Sequence, residues 1–552
     1  MSTELVIVRS PSVETLIAQI SRLVGFLDRA PDSRLRDVAY TCSFSSGRLA
    51  LAIVTDSVAA LRARLVSAKS RLENPATKRL RDKSGTYCYV EPMLGPGVGK
   101  LAFVFPGVMS FYPDMMRDLA YLYPECRSAF DELEEALKNE PGGFVPSSFI
   151  FPPAPYYRHD ADIFSSGAYA QALVATYSGC VALGRLLKFF GLEAEGVVGF
   201  AGGDVASLVY SGVAGASPLR PERLGIIREL YRLVDKAVDH AGLPQTTMLS
   251  LIVKNEEDLI NARAGLPAGS LTLINDISPR QKVYAVNPAC EREVMNELAA
   301  HGVKAVKLAL DKPFNTAECN RLLPEFRRFA QAWMRFEPKA PAYSCATAQP
   351  VAAGIKAHRE DVVTRWTKPI RFRETVERMY ADGYRVFLEV GPRGMMTAAA
   401  EDTLKGRDHA AIATNSIHRR GRLQLQHALA HLAALGAKVD VRRDLERRRA
   451  RKLDFDSAFA LESRQERELK LSRRFPRLTL ASPEELLPAV SPLAEPNGRI
   501  AKVAARAAAV EARARRQRQQ QRQQQRQSSA QTSLHRKCLP LRFRPPFAKA
   551  SL

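Results

Sequence analysis

Residues 196–204 hold the grouping with the most chemical meaning. The apolar run Gly196-Val197-Val198 leads into Gly199-Phe200-Ala201-Gly202-Gly203-Asp204, and a helix-like stretch follows at 205–212. A short buried strand, a glycine-flanked turn and a helix form the frame of a nucleophile elbow. That device lifts a reactive side chain onto a strained turn beside the N–H groups of a helix N-terminus. Gly199 and Gly203 supply the frame here, but the apex is Ala201, whose methyl group has no lone pair. The sequence presents an acyl-transfer frame without its attacking atom.

Glycines mark tight turns in many proteins, so by itself the cluster also reads as a plain strand–helix turn. Replacement nucleophiles are few. Ser207 lies six residues on, within the helix, and should point away from the apex. Cys180 and Cys319 fall on helix-like segments and read as core or surface residues. His301, His418 and His427 sit near element ends or on exposed faces without an evident acid partner, so they read as solvated or capping residues. Glu389, before Gly391-Pro392, reads as a structural partner at a strand end.

The eight Cys include no CxxC pair and no matching His cluster. This argues against a zinc site and a disulfide framework and fits a reducing cytoplasm. No metal is expected. The net charge of +23 is concentrated at one end: residues 441–552 carry 27 Lys/Arg against 11 Asp/Glu, leaving 54 against 47 in the first 440. A nucleic-acid or anionic-surface arm is therefore an alternative only for the tail, and nucleic acid is not the expected partner of the body.

The elements that would position the elbow follow in a readable order. Residues 1–98 form a small α+β unit: a strand at 5–8, then Ser10 as N-cap with Pro11 opening a helix over 13–27. A hairpin of 38–44 and 49–54 around Ser45-Ser46-Gly47 follows, then a helix at 57–72 and a basic linker at 78–83. The uninterrupted apolar run at 101–105 predicts a fully buried parallel strand. Helices are expected at 114–123 and 125–138, then a Pro- and aromatic-rich loop at 144–158.

The long apolar helix at 168–190 carries Arg185 and Lys188, so it reads as a core helix with no membrane span. Another helix covers 220–240. Residues 246–310 carry a β-α-β-β-α-β pattern, the split ferredoxin-like arrangement. Helices at 322–336, 373–382 and 422–435 and strands at 342–344 and 386–390 complete the body. The charge block 442–452, the Ala/Arg stretch 501–516 and the Gln/Arg run 517–527 read as a disordered basic tail from 441.

Taken together these pieces resemble the acyltransferase domain of a type I polyketide or fatty-acid synthase, the malonyl-CoA:acyl-carrier-protein transacylase-like family. Phe103-Val104-Phe105-Pro106-Gly107 is similar to the family's FxFPGQG, and 197–212 to its VVGHSxGE with the helix after it. Residues 275–286 resemble its NxPxQ stretch, and Phe387-Leu388-Glu389-Val390-Gly391-Pro392 its FxEVGP. Residues 35–56 are similar to the linker between a ketosynthase and its acyltransferase, and 366–372 and 419–439 to segments that wrap back onto it.

The resemblance covers roughly 1–440 and implies an α/β fold. A large subdomain with a central parallel, α/β-hydrolase-like sheet (99–245 and 311–400) would hold a ferredoxin-like small subdomain (246–310). An α+β linker domain (1–98) would precede it. A post-acyltransferase linker (401–440) and the tail (441–552) would follow.

The family's chemistry is ping-pong: a Ser attacks an acyl thioester, a His takes its proton, and the acyl group passes to a carrier protein's phosphopantetheine thiol. The Ser position falls on Ala201 and the His position on Asn315, in Pro313-Phe314-Asn315-Thr316. An amide cannot take that proton. The family's carboxylate-binding Arg falls near Leu230 or Tyr231, with Arg228 and Arg232 one turn away. Its Gln falls on Leu173, with Gln171 close by. Backbone donors at Val108 and Gly202 would survive as an oxyanion hole, and Phe200 and Phe314 would complete the substrate pocket.

The resemblance thus implies a degenerate acyltransferase that holds an acyl carrier protein, a ketosynthase or another synthase subunit. It needs no bound cofactor, and acyl-CoA or a phosphopantetheinyl carrier is the ligand. The alternatives are an active transferase with an unconventional nucleophile and a protein whose tail binds an anionic surface or nucleic acid.

Overall fold

In the computed structural model, residues 3–141, 144–152, 168–214, 220–239 and 242–456 are described. The expected loop beyond 152 and the low-complexity runs at 501–516 and 517–527 lie outside them.

Strand β1 (Glu4–Ser10) leads into α1 (Val13–Arg29). Ser12, not Ser10, caps this helix. Its side chain accepts from the Thr15 N–H at 3.3 Å and the Thr15 hydroxyl reaches back, a reciprocal capping box. The expected hairpin does not form: α2 (Leu35–Cys42) takes its first arm, and β2 (Leu49–Thr55) pairs antiparallel with β1 instead. Alternation of Val38, Tyr40 and Cys42 imitates a strand. As a helix the segment buries Val38, Ala39 and Cys42. The supposed basic linker is also structured. After α3 (Val58–Leu72), β3 (Arg79–Arg81) pairs with β4 (Thr86–Tyr89) and completes a sheet of order β1-β2-β4-β3.

β5 (Lys100–Phe105) starts the body, buried along all but its first residue as the apolar run predicts. Then come α4 (Arg117–Leu122), α5 (Pro124–Leu137), the short α6 (Pro146–Ile150) and the long α7 (Tyr169–Phe189). By length and composition α7 alone, among the described residues, is apolar enough to cross a membrane. Its apolar window is 83% buried inside the protein, which makes it the core helix of the fold. It feeds β6 (Gly196–Gly199), the elbow and α8 (Gly203–Tyr210), then α9 (Arg220–Asp239).

The β-α-β-β-α-β insertion follows as β7 (Thr247–Ile252), α10 (Glu256–Ala264), β8 (Thr272–Ser278), β9 (Gln281–Val286), α11 (Glu291–Ala300) and β10 (Lys304–Lys307). The chain returns through α12 (Leu323–Trp333), β11 (Ala342–Ser344), β12 (Gln349–Pro350) and α13 (Ile355–Thr367). β13 (Ile370–Arg371), α14 (Phe372–Ala381), β14 (Tyr384–Glu389), α15 (Met395–Thr403), β15 (Ala410–Ala413), α16 (Gly421–Ala434) and α17 (Arg442–Arg447) complete it.

The central sheet runs β12-β11-β6-β5-β14-β15, parallel from β11 to β15, with the elbow at the end of an inner strand. The insertion has the order β10-β7-β9-β8, and β13 adds parallel to β8, tying it to the large subdomain.

The charge block at 442–452 does not belong to a tail. α17 packs on α2, Leu445 is buried, and Arg448 forks onto Glu4 at 2.6 and 2.9 Å. Arg451 N–H donates to Asp37, Leu453 N–H to the Thr41 hydroxyl and Arg22 Nε to Asp456 at 2.6 Å, so this strap closes back on the N-terminal unit up to Asp456.

Candidate active site

The elbow keeps its backbone. β6 ends where Phe200 N–H donates to Phe105 O at 2.8 Å, and Gly203 N–H returns to Phe200 O at 2.9 Å. Ala201 itself sits at φ +51°, the left-handed region that a residue with a Cβ enters only when its surroundings impose it. The surroundings do. A Cβ on Gly199 would overlap the backbone of Asp204, and one on Gly203 would overlap the Phe105 carbonyl oxygen, so only glycine lets strand and helix approach so closely. A Cβ on Gly107, just after β5, would press on the Phe200 carbonyl oxygen and the Ala201 methyl group.

The neighbouring N–H groups of Val108 and Gly202 donate to no backbone carbonyl among the described residues. Donors of this kind survive a change of side chain.

Asn315 comes to the same place. It lines one cavity with Ala201, Gly202 and Phe314, and its Nδ2 donates to the Arg365 carbonyl at 2.8 Å. An imidazole at this position would meet the same carbonyl for one ring N–H, leaving its other nitrogen for a nucleophile. Among the described residues no serine, cysteine or histidine lines the cavity. Cys345 is nearby, but its thiol donates to Gly199 O at 3.2 Å, it does not line the cavity, and burial pushes its pKa up to about 12. Ser207 donates to Asp204 O at 2.7 Å within α8 and is likewise turned away.

The remaining predicted pocket residues separate into two groups. Phe314 lines the cavity and stacks on Tyr169 at 5.1 Å. Phe200 does not line it: its ring packs edge-on against Phe372 in the apolar cluster that includes Met248, Ile274 and Val283 of the small subdomain. Gln171 is half-buried outside the cavity, and Leu173 takes the lining position.

Arg228 and Arg232 are spent elsewhere. Arg232 forks onto Glu140 with both nitrogens at 2.9 Å, while Arg228 donates to Ala136 O at 3.2 Å. Spaced four apart on α9, they share the face that packs on α5, which takes them away from the elbow. Leu230 is buried, and Tyr231 stacks on Phe144 at 5.8 Å.

The guanidinium at the cavity is Arg365, a residue the sequence reading missed. It is buried on α13, pairs with Asp204, and donates to Asp361 at 2.5 Å and to Tyr343 O at 3.1 Å. One cation serves two carboxylates, and burial pushes Asp204 up to about 7 against the pull of that cation. The i,i+4 spacing of Asp361 and Arg365 was the available signal for α13. Glu389 is structural as expected: its Oε2 accepts from Thr397 N–H at 2.7 Å and Thr397 Oγ1 at 2.8 Å. His427 is neither exposed nor a cap, for it is buried on α16 and hydrogen-bonded to the Tyr87 hydroxyl at 2.9 Å.

The sequence profile of the acyl transferase domain family matches residues 102–437. The chain belongs to this family. This acyl transferase domain is 24% identical over 392 residues to polyketide synthase GfsA of Streptomyces halstedii, covering 68% of this chain and 5% of that protein. It is 24% identical over 437 residues to the phenolphthiocerol synthesis polyketide synthase type I Pks15/1 of Mycobacterium marinum, covering 79% of this chain and 19% of that one. The domain thus spans a small part of the length of these relatives.

A solved acyltransferase domain, from module 8 of the salinomycin polyketide synthase, shares its fold. The TM-score is 0.63 at 17% identity, over 79% of this chain and 97% of that one. The type I synthase resemblance and the α/β architecture hold. Among the described residues no group of His, Cys, Asp and Glu is placed to hold a metal ion.

Proposed function

We propose that this acyl transferase domain acts in polyketide assembly as a docking partner for an acyl carrier protein, a ketosynthase or another synthase subunit, and that it does not itself transfer acyl groups. One observation carries the reading: Ala201 occupies the strained apex of an otherwise complete elbow, and the side chain beside it is the amide of Asn315. A methyl group cannot attack a thioester, and an amide does not take up a proton near neutral pH. An unconventional nucleophile would have to lie within hydrogen-bond reach of the Val108 and Gly202 N–H groups. None of the described cavity residues is a serine, threonine or cysteine. A role for the basic tail would fall on residues 457–552, outside those described.

Docking remains available to such a protein because it needs surface, not chemistry. The test is twofold. The chain is incubated with malonyl-CoA and its intact mass recorded, with no covalent acyl adduct expected. A carrier protein or ketosynthase from the same assembly system is then titrated against the labelled chain and should bind at micromolar concentration. A stoichiometric acyl-enzyme would overturn the loss of catalysis, and absence of binding to every synthase subunit would overturn the docking role.

A further inference from the structure

The cavity under the elbow measures about 20 Å³. One water occupies roughly that much, whereas pockets that hold small organic ligands measure on the order of 300 Å³ or more. Loss of a serine hydroxyl and an imidazole cannot account for this, since removing atoms enlarges a site. Something has been put in.

Two of the side chains that line it come from segments far apart in sequence and crowd it. Leu173, on α7, lies so close over Gly202 that its Cδ1 would overlap any Cβ placed there. It therefore crowds the Cα of the residue whose N–H an oxyanion would need. Trp366, on α13, stacks face to face on Phe326 at 4.6 Å and meets the edge of Phe314 at 6.5 Å. Phe314 stacks in turn on Tyr169. The four rings make a continuous aromatic wall, and Trp366 is half-buried in it, with one side on the cavity. Beneath, Arg365 is already neutralised by Asp204 and Asp361, so no free cation waits for an acyl carboxylate.

We infer that Leu173 and Trp366 form a plug that closes this site to acyl thioesters and to the phosphopantetheine arm of a carrier, independently of the missing nucleophile and base. The inference builds on the reading of a silent transferase but can fail separately from it. Any partner of this domain must then be recognised by its protein surface, with its arm left outside. The ligand expected from sequence, acyl-CoA, has no room.

The test uses the full chain and malonyl-CoA. In the Ala201→Ser/Asn315→His protein the introduced hydroxyl would attack the thioester carbonyl, breaking the carbon–sulfur bond and forming an ester. The imidazole would take the hydroxyl proton and return it to the departing coenzyme A thiolate. With the plug in place this protein should stay unmodified by intact mass. Adding Leu173→Gln and Trp366→Ala should raise the rate of adduct formation at least about tenfold. A double variant that acylates as fast as the quadruple one overturns the plug, and so does a folded quadruple variant that stays silent.

A second readout does not depend on chemistry. Trp366→Ala opens a space walled by the rings of Phe326 and Phe314, and apolar holes take up small aromatic molecules. Indole should raise the Tm of Trp366→Ala and leave that of the parent chain unchanged. Should that variant not fold, Leu173→Ala with benzene serves in the same way, and no rise in Tm in the folded variant refutes the inference. Failure of the proposed function shows in the parent chain, as an adduct. Failure of the plug shows in the variants.

Discussion

The elbow cavity and the seam that joins the two ends of the described chain are built on opposite plans. At the elbow the backbone of a reactive site is intact, yet its side chains are a methyl, an amide, a leucine and an indole. At the seam, α16 and α17 return to the N-terminal unit through hydrogen-bonded polar side chains. Tyr87 bonds His427, the Tyr89 hydroxyl bonds His431 Nε2 at 3.1 Å, and Arg448 forks onto Glu4. The groups that would do chemistry are absent from the elbow, where Arg365, Asp204 and Asp361 only hold one another, while polar pairs at the seam hold the chain together. On the docking role proposed above, the second region matters more than the first.

The contrast is sharpest where one atom too many would break it. Gly203→Val should cost about 3 kcal/mol or more, because its Cβ has no space beside the Phe105 carbonyl and the strand end cannot retreat. Urea denaturation measures this. Arg365→Met should cost a similar amount, about 3–5 kcal/mol, since it leaves Asp204 and Asp361 buried without their shared cation. A cost under about 1 kcal/mol in either variant would mean the elbow is held far more loosely than the seam.

At the seam, ending the chain at residue 440 should cost about 3 kcal/mol, by leaving Glu4 only its longer pairing with Arg422 at 3.6 Å and exposing the contacts of Leu445. A chain ending at 456 should match the full-length protein in the same unfolding measurement.

The two regions also predict opposite responses to pH. Asp204 is held near 7 in the folded state against an ordinary 3.8, so its contribution is complete below 3.8 and lost as pH rises through 7. Burial holds His427 down to about 4 and His431 to about 3, against an ordinary 6.5. Their contribution is complete above 6.5 and lost as pH falls through those values. The slopes oppose each other between about 4 and 6.5, and each variant should unmask the other region. Against the parent chain, with burial holding Glu389 near 7 in every variant, Asp204→Asn should lose more stability toward acid and His427→Gln/His431→Gln less. Equal slopes in both variants by urea titration would refute the assignment.

The smallest expected effect tests the strain itself. Ala201→Gly should stabilise the chain by about 1 kcal/mol or slightly less, because glycine adopts φ near +51° without the Cβ penalty. Destabilisation would show that the methyl packing outweighs the backbone strain.

Much of this was legible in the sequence where the signal was local. The elbow glycines, the buried run at 101–105 and the split ferredoxin pattern each follow from spacing within a short window, and each stands in the structure. Apart from the cap of α1, the failures have one cause. Val38, Tyr40 and Cys42 alternate like a strand, but the neighbours of β1 are β2 and a helix, so tertiary packing decided the segment. The 442–452 block looked like solvated charge because its partners, Glu4 and Asp37, lie more than 400 residues away. His427 looked exposed because Tyr87 is 340 residues distant.

What the sequence by itself determined is which atoms are missing: no hydroxyl at 201, inside a glycine frame that only close approach of strand and helix explains, and no imidazole at 315. What the tertiary structure decided is that the space beneath is gone. Leu173, Trp366 and Arg365 carry no local mark of converging there. Free volume belongs to packing among distant segments, and periodicity along a chain holds no record of it.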